Sequence, residues 1–127
     1  MAFFDEGIYD PQTGLLAPLY FYESSNRLLS WANRTNRSTS LISIRLGEMP
    51  EDDLVRCATE LNAELRGGDL LARMNEKTLV LLLIGDKLGA DQLVFRLRNT
   101  IKFDLTFAAI EIADNEDLVS ALARLGV

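Results

Sequence analysis

The run Leu79-Val80-Leu81-Leu82-Leu83-Ile84 constrains this chain more than any other segment. It is far shorter than the roughly 18–20 apolar residues needed to cross a bilayer. Its length suits a strand, and a strand that is apolar without alternation lies in the middle of a sheet, covered on both faces. The segments around it supply the covers. Leu16 to Arg34 reads as a helix with Leu16, Tyr20, Leu28 and Ala32 as its apolar stripe. Thr39 to Leu46 alternates, with Ile42, Ile44 and Leu46 on one face and Ser43 and Arg45 on the other, and reads as a half-buried strand.

Gly47 breaks that strand. Pro50 at the first helical position, followed by Glu51, Asp52 and Asp53, starts a helix whose stripe is Leu54, Ala58, Leu61 and Leu65. It should stop at Arg66-Gly67-Gly68, where glycine takes a left-handed closing conformation. Leu70–Met74 and Leu79–Ile84 flank a tight turn at residues 75–77 and form a β-hairpin. A helix over 90–101 turns Leu93, Val94, Leu97 and Ile101 inward; a strand over 105–112 and a helix over 116–125 follow. The order α-β-α-β-β-α-β-α predicts an α/β sandwich. Its central sheet should be mixed, because the hairpin is antiparallel while helical crossovers favour parallel neighbours. Residues 1–9 read as a lead-in and 10–127 as one domain.

Composition narrows the chemistry. The net charge is −6, so a polyphosphate such as DNA or RNA is repelled, and an anionic ligand must be met by a local group of Arg. The absence of histidine removes the commonest general base and a common transition-metal ligand. Cys57 is the lone cysteine, so no internal disulfide forms. It lies beside an apolar stripe and should be buried and inert. With no signal-like start and no spanning segment, the expected compartment is the cytoplasm, without membrane insertion.

Residues at the joints of these elements resemble a known family. Asp10-Pro11-Gln12-Thr13-Gly14-Leu15 is similar to the D-x-L-T-G-L opening of GGDEF domains, with Gln12 in place of the usual Leu. Phe21 stands where the first helix of the family carries an aromatic residue, and Arg66-Gly67-Gly68-Asp69 matches its R-x-x-D motif. The slot of the G-G-D-E-F hairpin reads Asn75-Glu76-Lys77-Thr78-Leu79. The resemblance implies the nucleotidyl-cyclase-like sandwich, with the hairpin at a degenerate GGDEF position. In active members, a strand-end Asp and the third hairpin residue hold magnesium at GTP. Arg45 and Lys77 occupy those positions here, and cations repel a metal. The segment with N-D and G-H-x-x-G-D that helps bind guanine is replaced by Gly47-Glu48-Met49-Pro50. No catalytic residue, metal ligand or cofactor is therefore expected.

What the resemblance leaves is R-x-x-D, which in the family binds cyclic di-GMP, singly or as an intercalated dimer. Arg66 and Asp69 are the expected ligands, with Arg96 and then Arg98 as the second arginine; Arg73 sits in a hairpin strand and can point elsewhere. An Arg fork donates to the guanine O6 and N7 edge, and a carboxylate accepts from N1–H and the 2-amino group. A structural alternative stands beside this one. Arg66 in a last helical turn favours the helix dipole, Asp69 can pair with it on the surface, and Arg96 and Arg98 can be a solvated face. Glu48, Glu51, Asp52 and Asp53 are explained by the helix start, and Trp31 with Tyr20 and Phe21 by core or helix pairing. The leading expectation is a non-catalytic cyclic di-GMP receptor that works with a neighbouring signalling domain or protein. The alternative is a pseudo-enzyme interaction domain that binds no nucleotide.

Overall fold

The computed structural model describes residues 8–127. Most of the expected lead-in, residues 1–7, lies outside them. The elements run α1 (Pro18–Arg34), β1 (Thr39–Leu46), α2 (Glu51–Ala63), β2 (Leu70–Asn75), β3 (Thr78–Ile84), α3 (Lys87–Thr100), β4 (Leu105–Glu111) and α4 (Leu118–Leu125). This is the predicted order, and it builds an α/β sandwich.

The four strands lie in the order β2-β3-β1-β4. Every neighbouring pair is antiparallel, so the sheet is not mixed as expected. The crossovers do join parallel strands: β1 and β2 share a direction, as do β3 and β4. Each such pair is split by an antiparallel strand inserted between its members, as in split β-α-β folds. A single parallel bridge, Leu16 to Ala72, lies at the β2 edge.

β3 is the strand the sequence demands. Leu79, Leu81 and Leu83 face one core with Ile42, Ile44, Leu54, Leu61 and Leu97, under α2 and α3. Val80 and Leu82 face a second core with Phe21, Leu29, Leu41 and Leu118, under α1 and α4. Each fully buried Leu contributes about 2 kcal/mol. β1 is covered on both faces too, rather than half-buried, because Leu41 joins the second core.

Three local expectations shift. The buried stripe of α1 is Phe21, Ser25, Leu29 and Ala32, rotated from the predicted one, and Trp31 is 36% exposed instead of packed in a core. Pro50 is the residue before α2, extended at ψ 158°, not its first helical residue. α2 closes at Ala63, ahead of Arg66, so Arg66 is not in a last helical turn. Among the described residues no helix is long and apolar enough to cross a membrane.

Candidate functional site

The segment between α2 and β2 makes a tight turn. The Asp69 N–H donates to the Arg66 carbonyl at 3.1 Å, and the Arg66 N–H donates to Asp69 Oδ2 at 3.0 Å. Gly68 sits inside it at φ +96°, a conformation that only glycine takes freely. The two residues expected to pair do so, but through backbone and carboxylate rather than as a surface ion pair.

The hairpin register then brings this turn to a second element. Leu70 pairs with Leu82, so the chain entering β2 lies beside the chain leaving β3. There α3 begins, capped by the Asp86 carboxylate, which accepts from the Gly89 N–H at 2.9 Å. Gly89, Gln92 and Arg96 recur on one helical face and meet the turn. Arg66, Asp69, Ile84, Gly85, Gln92 and Arg96 help line one cavity of about 200 Å³. Arg98 is two residues from Arg96 and therefore faces away. Its guanidinium lies over the Phe107 ring, 5.6 Å from the centroid. Of the four expected ligands, three meet and Arg98 does not. Gln92 is the polar group that sequence reasoning missed; its place one turn before Arg96 was the available signal.

The charges are arranged for an anion with a polar edge. Burial pushes the Asp69 carboxyl up, and this outweighs the Arg66 N–H and the nearby Arg66 and Arg96 charges that hold it down. Arg96 is anchored to Glu64, with Nε to Oε1 at 3.1 Å and Nη2 to the carbonyl at 3.0 Å. That anchorage leaves N–H groups of the fork free. The Arg66 guanidinium has no hydrogen-bond partner among the described residues.

The other end of the hairpin is built differently. Arg45 is exposed at the end of β1, opposite Thr78 and Thr106. Lys77 forms an ion pair with Glu48, whose carboxyl it holds below the usual range. A magnesium ion does not fit residues of this sign. Asp10 anchors the turn before α1: its Oδ2 accepts from Thr13 N at 2.9 Å, Thr13 Oγ1 at 2.6 Å and Arg73 Nη1 at 3.2 Å. Arg73 also donates to Gln12 Oε1 and to the Glu76 carbonyl, so it does point away from the Arg66 cavity. Cys57 is buried, and burial pushes its thiol up to about 11, which makes it inert at neutral pH.

No protein-family model matches the sequence, and no curated protein matches it. Solved structures do match. The diguanylate cyclase SiaD from Pseudomonas aeruginosa, solved with its activator SiaC, superposes with a TM-score of 0.83 at 20% identity over 97% of this chain. The fold is that of a GGDEF domain. A sensory box/GGDEF family protein from Caulobacter crescentus gives a TM-score of 0.80 at 19% identity, covering 93% of this chain and 92% of that one. The GGDEF domain of DgcB from the same organism, solved in complex with c-di-GMP, gives 0.78 at 12% identity, covering 93% and 85%. This chain spans 57% of the SiaD chain, so the GGDEF fold is the shared part.

Proposed function

We propose that this GGDEF-fold chain is a non-catalytic receptor for cyclic di-GMP, working in the cytoplasm beside a signalling partner, with Arg66, Asp69 and Arg96 as its ligand-binding residues. The observation that carries this reading is the cavity at the open end of the hairpin. It gathers an arginine fork and a carboxylate from the α2–β2 turn and a second arginine fork from α3, in a chain that is net acidic. Such a set matches a guanine base joined to a phosphodiester: a fork for the O6 and N7 edge, an acceptor for N1–H, and positive charge for the phosphate. The complex of the DgcB GGDEF domain with c-di-GMP supports the ligand class. Arg45 and Lys77 at the positions that resemble metal ligands, with Lys77 already paired to Glu48, support the absence of cyclase chemistry.

Calorimetric titration with cyclic di-GMP tests the reading. Wild-type protein should bind. Arg66→Ala should bind about tenfold or more weakly, since a good bidentate contact is worth roughly 1–3 kcal/mol. Arg66→Lys should recover little, because a point charge does not copy the fork. No heat at high micromolar ligand would leave the interaction-domain alternative in its place.

A further inference from the structure

The Arg66 cavity does not enclose the whole of the ligand assigned to it. Drug-sized ligands occupy roughly 300–1,000 Å³, and this cavity offers about 200 Å³. A dinucleotide held there therefore extends beyond the cavity onto the surface around the Arg66–Asp69 turn.

A second concavity borders that turn on its other side. Ser24, Arg27, Leu28 and Trp31 of α1 face Gly68 and Leu70 across a groove of about 290 Å³. The two concavities are separated by little more than the turn itself: Gly68 lines the groove, Ile84 lines the cavity, and a Cβ at Gly68 would stand 3.9 Å from Ile84 Cδ1. The groove is walled mainly by apolar side chains, yet its rim is cationic. Arg27 lines it, with Nη2 to Ser24 Oγ at 3.4 Å, while the Arg37 guanidinium, which does not line the groove, sits over the Trp31 ring 5.7 Å from the centroid. Trp31 itself is 36% exposed, although most of its helix neighbours at buried positions are apolar and covered.

We propose that Trp31 is a stacking platform for the second base of the dinucleotide, on the side of the ring that lines the groove, with Arg27 facing its phosphodiester. Every nucleobase has a π-face, so an indole beside guanidinium groups holds a base without reading its edge. The division of labour follows. The cavity at Arg66 and Asp69 selects guanine, and the groove at Trp31 adds affinity with little selectivity. This inference rests on the receptor reading above and deepens it.

Trp31 is the only tryptophan of the chain, so its emission reports the groove alone. Titrate the full chain with cyclic di-GMP, following heat and tryptophan fluorescence on the same samples. The expected result is quenching of Trp31 with the same midpoint as the heat. Trp31→Leu should weaken binding about tenfold, and Trp31→Phe should restore most of it. Arg98→Gln, outside both concavities, should bind as wild type. Normal heat with unmoved Trp31 fluorescence, or a folded Trp31→Leu that binds as wild type, overturns the stacking role and leaves the Arg66 site standing. No heat from the wild-type protein removes the receptor reading and this inference together.

Discussion

Arg73→Met should cost this domain about 3 kcal/mol of stability. Arg73 and Asp10 form the most buried ion pair among the described residues, with side chains only 11% and 13% exposed. The guanidinium ties the opening turn to the hairpin through three partners: Asp10 and Gln12 of the former, and the Glu76 carbonyl of the latter. A hydrogen bond to a charged group is worth roughly 1.5–3 kcal/mol and a neutral one about 1 kcal/mol. Against this stands the desolvation of Arg73, whose Nε is buried without a partner and which is released when the charge is removed. The net is about 3 kcal/mol. For 127 residues the unfolding entropy is about 0.27 kcal/mol/K, so the melting temperature should fall by about 10 °C. Urea denaturation followed by far-UV circular dichroism measures the loss. The double variant Asp10→Asn/Arg73→Met isolates the coupling, which should exceed about 1 kcal/mol. The pH dependence has a definite sign. Burial raises the Asp10 carboxyl, but the Thr13 hydrogen bonds and Arg73 outweigh it and hold it below its ordinary value. Its contribution is therefore complete above the unfolded value, near 3.9, and is lost as pH falls through the folded one. The gap between wild type and Arg73→Met should narrow only in acid. A loss under about 1 kcal/mol at pH 7 would refute the argument that this pair fastens the opening turn to the hairpin.

Incubation with GTP and magnesium should give no cyclic di-GMP by chromatography, and writing Gly-Gly-Asp-Glu-Phe into residues 75–79 should not restore it while Arg45 and the shortened 47–50 segment remain; turnover that follows the pure protein refutes this. Asp69→Asn should leave the fold as stable or more stable at neutral pH, because a carboxyl raised by burial costs the folded state once it ionises, yet it should weaken selectivity for guanine in competition calorimetry; loss of stability with selectivity intact would contradict the assignment. Gly47→Ala should destabilise by about 1–3 kcal/mol in urea, since a Cβ there would lie 2.9 Å from Asp104 Cβ as well as against its carboxylate; an unchanged midpoint would show that β4 yields freely.

Where local patterns decide structure, the sequence was legible. The alternation of β1 marked Thr39–Leu46 to the residue, and the apolar run of β3 required the two-sided cover that it has. What failed was non-local. The crossovers join parallel strands as expected, but which strand inserts between them depends on packing of the whole sheet, so the all-antiparallel neighbours were not readable. The α1 stripe was misplaced because apolar residues surround that helix over 19–22 and 28–31, and its buried face includes the polar Ser25. At the site, motif spacing found Arg66 and Asp69, and helical periodicity separates Arg96 from Arg98 once the partner face is known. The Arg73–Asp10 pair spans 63 residues, and no local pattern announces it.

On the proposed receptor reading, the hairpin also explains how a binding site would outlast a catalytic one. Its two ends are used for different things. The turn end, residues 76 and 77, meets Leu46, Glu48 and Arg73, the region where the resemblance would place metal and GTP. The open end, Asp69–Leu70 and Ile84–Gly85, borders the Arg66 cavity. The six residues of β2, at about 3.3 Å each, put roughly 20 Å between them. At that distance an exposed charge at one end is screened from the other, since the Debye length is about 8 Å at physiological salt. Substituting Lys for an acid at the turn, or losing the glycines there, leaves the geometry of Arg66, Asp69 and Arg96 to the α2–β2 turn and to α3. Those elements are fixed by the buried Leu61, Leu93 and Leu97 of the core, of which Leu93 also lines the cavity. Selection for a stable fold alone would thus keep the cavity's framework, including the Arg96–Glu64 pair and the Asp69 carboxylate that closes the turn, but it does not account for the Arg66 guanidinium, which has no hydrogen-bond partner among the described residues. On the proposed receptor reading, that guanidinium is the group held for the ligand.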